Sequence, residues 1–203
     1  MNNYYRDSVI KVLVGSYCMT ALLPHRAFGL ESSEDGLTAT LSVNRATISS
    51  NDRFQFAVTL KNVSSKVLLI PPVSPYAVAH LTVSRASSEV TTLVTGILTP
   101  DLGKPPLLIK VRPGDEYSIY IDGSLTEGKL TDVVHGTVVR GGFLDFQHSA
   151  FALPESGAFS IIFRFKGKTV AAQSSQELAE VQEVWVGKVV SNPVILFVKL
   201  KHE

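Results

Sequence analysis

The chain has 203 residues, with 19 Lys+Arg against 18 Asp+Glu, and hydrophobic residues make up 45% of it. That balance excludes an intrinsically disordered chain, and the length provides a substantial core without disulfide staples. The near-neutral charge excludes the basic footprint that nucleic-acid binding requires.

Residues 1–29 read as a secretory leader. Arg6 and Lys11 supply positive charge, an apolar stretch covers 12–23, Pro24 breaks it, and small residues follow at Ala27 and Gly29. Cleavage is expected after Gly29, or alternatively after Ala27. The apolar run is shorter than the roughly 20 residues that a bilayer span needs, so no stable span is expected in the mature chain. Cys18, the one cysteine, lies inside the leader, where Tyr17 before it and the apolar residues after it do not suit a lipid attachment site. Processing removes three basic residues (Arg6, Lys11, Arg26) and one acid (Asp7), which leaves a formal charge of −1. The expected product is an extracytoplasmic chain, residues 30–203, with no disulfide and no thiolate chemistry.

From Leu37 onward the apolar residues alternate. Leu37, Ala39, Leu41 and Val43 point one way, and Phe54, Phe56, Val58 and Leu60 form the clearest strand. A period of two buries one face of a strand and leaves the other in water. Further strands are expected at 66–70, 77–84, 90–95, 107–111, 117–121, 137–140, 159–165, 181–189 and 194–200. Pro71-Pro72 ends one of them, and Pro113-Gly114 presets a turn between two others. Asn51-Asp52 and Asp122-Gly123 read as turns, and 122–132 and 141–157 as the longest loops. Ser174 with Glu177 suits a short helical turn through Ala179, and residues 100–106 are the one plausible domain boundary. Many short strands divided by turn signals predict an all-β antiparallel sandwich.

Particular segments carry a resemblance. The strand from Phe54 to Leu60 runs into Asn62-Val63-Ser64, and Val111-Arg112-Pro113-Gly114-Asp115 leads into the Tyr117 strand. Toward the C-terminus come Phe159-Ser160-Ile161, Trp185-Val186-Gly187 and Ser191-Asn192-Pro193-Val194. This order resembles bacterial secreted immunoglobulin-like β-sandwich domains. The resemblance implies one such domain over 30–203, with extra strands or long loops, and it brings no catalytic residues. The chain departs from the antibody type, which joins its sheets by a disulfide under a tryptophan.

Chemistry is sparsely marked. His135 and His148 flank Asp132 and Asp145, but the spacing matches no compact zinc motif. There is no Gly-x-Ser-x-Gly elbow and no phosphate loop. Asn62-Val63-Ser64 fits a glycosylation acceptor and is read here as a turn. No cofactor or metal is expected. The segment 141–151 holds Phe143, Phe146 and Phe151 beside His148. These rings either cap one end of the core, the reading favoured because apolar area seeks burial, or form a partner-binding patch with Trp185. The expected function is a non-enzymatic binding or structural module of the cell envelope, with an envelope protein or a polysaccharide as partner. An open edge strand is a second candidate surface. A carbohydrate-binding alternative would use Trp185 with Tyr76 or Tyr120 as a stacking platform. A hydrolase or a protease inhibitor is a more distant reading.

Overall fold

The computed structural model describes residues 36–71, 73, 76–96, 108–167 and 183–201. The leader expected at 1–29, the boundary expected at 100–106 and the helical turn expected at 174–179 lie outside the described residues.

The described chain is all-β. Its strands are β1 (Leu37–Val43), β2 (Thr47–Ser49), β3 (Arg53–Asn62), β4 (Leu68–Ile70), β5 (Leu81–Arg85), β6 (Ser88–Glu89), β7 (Thr92–Val94), β8 (Ile109–Val111), β9 (Glu116–Asp132), β10 (Thr137–Phe146), β11 (Ser149–Leu153), β12 (Gly157–Gly167), β13 (Glu183–Val184), β14 (Gly187–Val190) and β15 (Val194–Lys199). The first sheet runs β1-β3-β9-β10-β11-β7 and the second β2-β15-β12-β5-β6, with β14 also on β12. A small third sheet, β13-β4-β8, joins the same core through Leu68, Ile70 and Val111.

The two large sheets share that core in a β-sandwich-like arrangement. Phe54, Phe56, Val58 and Leu60 of β3 meet Phe159, Ile161, Phe163 and Phe165 of β12 in one buried cluster. Each row is a single face of an alternating strand, as the period-two pattern requires. Fully burying a side chain of this size contributes roughly 1.5–3 kcal/mol, so these two strands carry much of the stabilisation. After β1 the chain crosses between layers, because β1 pairs with β3 whereas β2 pairs in parallel with β15.

Several expected boundaries move. The 77–84 strand splits into a 3-10 turn, Tyr76–His80, and the shorter β5. The expected loop 122–132 is instead the continuation of β9, a strand of 17 residues. Asp122-Gly123 therefore lies mid-strand. Gly123 is there for space, since a Cβ on it would sit 2.6 Å from the Phe54 ring and 2.8 Å from the Phe146 ring. The expected loop 141–157 is mostly β10 and β11, which join through the tight turn Gln147-His148.

Both edge strands of the first sheet have a partner outside the sheet at one or two positions. The long β9–β10 hairpin has Gly128 directly opposite Gly141, both at positive φ. The sheet curls until Val133, just past β9, donates its N–H to the Val94 carbonyl at 2.8 Å, on the side of β7 turned away from β11. This curl encloses a second apolar cluster of Leu93, Phe143 and Ala150 under Leu130 and Val139. At the opposite edge, the Asn192 side-chain amide takes the place of a strand. Its Oδ1 accepts the Leu41 N–H at 2.9 Å and its Nδ2 donates to the Leu41 carbonyl at 3.0 Å. Asn192 reaches β1 because β12 pairs with Val190 through Arg164 but with Val194 through Ile161, which leaves one extra residue on the β14–β15 side. That bulge at Ser191-Asn192-Pro193 redirects the side chain toward the other sheet.

Candidate functional site

The aromatic patch expected at 143–151 is not on the surface. Phe146 and Phe151 lie in the main core, their rings perpendicular at 5.9 Å, and Phe146 also packs edge-on against Phe54 at 5.7 Å. Phe143 points to the other face of its strand, yet it is only 1% exposed because the curled hairpin covers it. His148 is half-buried and packs against Gly96. The exposed-patch reading is therefore corrected: the rings cap core, as apolar area should.

Trp185 is likewise unavailable as a stacking platform. It is 2% exposed and lies almost parallel to Phe165, with centroids 5.5 Å apart and an interplanar angle of 14°. Gly167 provides the room, since a Cβ there would run into the indole ring. Tyr120 is exposed on the outer face of the first sheet, between polar rows. On the expected open edges of the first sheet, Asn192 occupies the pairing position at Leu41 and Val133 the one at Val94.

The histidine–carboxylate set separates into local roles. The Asp132 carboxylate caps the turn after β9, accepting the N–H groups of Val134 at 3.0 Å and His135 at 3.3 Å and facing His135 Nδ1 at 2.8 Å. The His135 side-chain hydrogen bond holds the Asp132 carboxyl below the ordinary range, against the opposing effect of burial. Asp145 shifts the other way, raised by its own burial. No group of three or more His, Cys, Asp or Glu side chains among the described residues is placed to hold a metal ion. No helix among the described residues is long and apolar enough to cross a membrane.

A surface feature that groups an exposed ring with cations lies on the outer face of the second sheet. In β15, Leu196 and Val198 enter the core, which turns Ile195 and Phe197 outward, 46% and 49% exposed. In β12 the same alternation buries Phe163 and Phe165 and turns Arg164 and Lys166 to solvent. Lys188 stands directly across from Lys166, and Lys199 extends the β15 row. Like charges directly opposite on a sheet are unfavourable. None of these four cations makes an ion pair among the described residues, and the acid on this face, Glu89, stands opposite Ser84 at the far edge. Where the bulge parts β14 from β15, an open groove of about 410 Å³ forms between Arg164, Lys188, Val190 and Pro193.

Sequence reasoning passed over this face, although its signal was present. The run Val194-Ile195-Leu196-Phe197-Val198 is apolar at every position, more than one buried face can absorb. Phe163-Arg164-Phe165-Lys166 alternates rings with cations. No known protein-family model matches the chain, and no curated protein sequence matches it.

Proposed function

We propose that this protein is an exported, non-enzymatic binding module of the cell envelope, built as an immunoglobulin-like sandwich. The leader-like order of residues 1–29 supports export. The strand connectivity supports the fold assignment. β1-β3-β9 and β5-β12-β15 stand in the order A-B-E and C-F-G of that fold, and their sequence order agrees. β10 and β11 are then a hairpin inserted between the fifth and sixth strands of the basic set. It separates β7, which precedes β9 in the chain, from its usual neighbour.

The observation that carries the binding role is the outer face of the second sheet. Ile195 and Phe197 stand half-exposed side by side on a paired strand, next to Ala158, Ser160 and Thr47, and Phe197 is the one phenylalanine among the exposed large apolar side chains of the described residues, the others being valines and Tyr120. A surface aromatic grouped with cations that make no ion pair among the described residues suits a recognition surface.

The test has two arms. Expression of the full chain in a bacterial host, with fractionation and intact mass, should recover an extracytoplasmic product beginning at Leu30. An uncleaved cytosolic product overturns the export reading. Purified processed chain should co-sediment with isolated envelopes, and Ile195→Thr/Phe197→Ser should abolish this while leaving the unfolding midpoint unchanged. Equal sedimentation of both proteins refutes the assigned face.

A further inference from the structure

We infer that the outer face of β12, β14 and β15 is a linear track for an acidic polysaccharide, an assignment that rests on the binding role proposed above. The track follows β12 from Ala158, beside Phe197, to Lys166, beside Lys188. The eight residue-to-residue steps from Ala158 to Lys166 make it about 26 Å long. Its two ends differ in character. One end presents the half-exposed Phe197 ring and Ile195, and the other presents Arg164, Lys166 and Lys188.

Three observations point to that ligand. The first is charge complementarity: Lys166 and Lys188 are forced together by the register, and an anion between them would relieve the repulsion. The second is shape. The face is the outer side of paired strands with an open groove at its cationic end, lined by Arg164 and Lys188 over Ile162 and Pro193. A row of exposed side chains along one strand suits an extended polymer that meets it repeatedly, each contact weak and the sum appreciable. The third is the ring. An aromatic side chain at 49% exposure on a strand face can stack against the C–H surface of a sugar. A bilayer is the weaker fit, because Phe197 and Ile195 belong to a paired strand rather than to a loop tip and sit apart from Arg164, Lys166 and Lys188.

The binding of processed chain to polygalacturonate, neutral dextran and phosphatidylglycerol vesicles tests the inference, each measured at low and physiological salt. Polygalacturonate should bind, and more weakly as salt rises; dextran and vesicles should not. Arg164→Gln/Lys166→Gln/Lys188→Gln should weaken binding about tenfold, as expected for three modest exposed charge contacts. The control Arg53→Gln/Lys129→Gln/Arg140→Gln makes the same change in net charge on other surfaces and should cost less than about threefold. Ile195→Thr/Phe197→Ser should weaken binding without altering its salt dependence. Equal losses in the two charge variants would reduce the effect to net charge and overturn the track. Vesicle binding without polygalacturonate binding would replace the polysaccharide with a membrane surface. Envelope sedimentation without polygalacturonate binding would sink this inference and leave the broader role standing, whereas failure of both would remove both.

Discussion

Asn62 offers the sharpest test of how this sandwich is held together. Its side chain is fully buried, and each of its four hydrogen-bonding positions is used. Nδ2 donates to the Lys66 carbonyl at 2.7 Å and the Val111 carbonyl at 2.9 Å. Oδ1 accepts from the Ser64 N–H at 2.9 Å and the Ser64 hydroxyl at 2.7 Å. One amide thus ties the end of β3 to the turn that follows it and to the end of β8. Asn62→Ala removes all four bonds. The bonds to Ser64 and Lys66 border solvent, and losing each costs about 0.5 kcal/mol net; the buried bond to the Val111 carbonyl, together with the cavity that the lost amide leaves, costs about 2 kcal/mol. The total is about 3.5 kcal/mol, or about 10 °C in Tm for a domain of this size. Asn62→Asp conserves shape but aims a second oxygen at two carbonyls. It should be at least as destabilising at pH 8, and less so at pH 5, where a protonated carboxyl regains one donor. Urea unfolding followed by the fluorescence of Trp185, the single tryptophan, measures both variants. A loss below about 1 kcal/mol for Asn62→Ala, or an Asn62→Asp variant indifferent to pH, refutes the reasoning.

Gly123→Ala should cost about 1–3 kcal/mol in the same assay, because its methyl group would meet the Phe54 and Phe146 rings. A neutral result would mean that this part of the core is loosely packed. The β5–β6 hairpin turns through Ala86 and Ser87, both at positive φ, so Ala86→Asn/Ser87→Gly should stabilise the chain by about 1 kcal/mol. His80 is half-buried and packs edge-on against Phe165 at 5.2 Å. Burial lowers its pKa below 6.5, and a hydrogen bond with the Arg164 backbone works against that shift. The unfolded chain therefore takes up the proton first. The stability that His80 contributes is complete above pH 6.5 and is lost as pH falls through the folded-state value. Urea midpoints should fall between pH 7.5 and pH 5.5, and His80→Phe should flatten that slope; an unchanged slope would assign it to other groups.

Sequence alone determined the β class and most of the strands that build the core. Alternation in Leu37 to Val43, Phe54 to Leu60 and Phe159 to Phe165 encodes which side chains turn inward, because a strand's two faces follow from its backbone geometry. It also favoured burial for Phe143, Phe146 and Phe151. The Asn62 turn was legible too, from Asn-Val-Ser after an apolar strand, although its long-range bond to Val111 was not.

Tertiary structure decided what depends on distant neighbours. Asp122-Gly123 has the composition of a turn, but the rings of Phe54 and Phe146 demand a glycine in mid-strand. The Gly128 and Gly141 signals, read as loop, mark instead the place where a long hairpin bends and returns to β7. Local composition reports how easily a backbone turns, not whether another strand stands ready to pair with it. The candidate site follows the same division. Alternation could say that Arg164 and Lys166 share a face, but only the register of β12 with β14 and β15 sets Lys188 across from Lys166 and Phe197 at the other end of the same row.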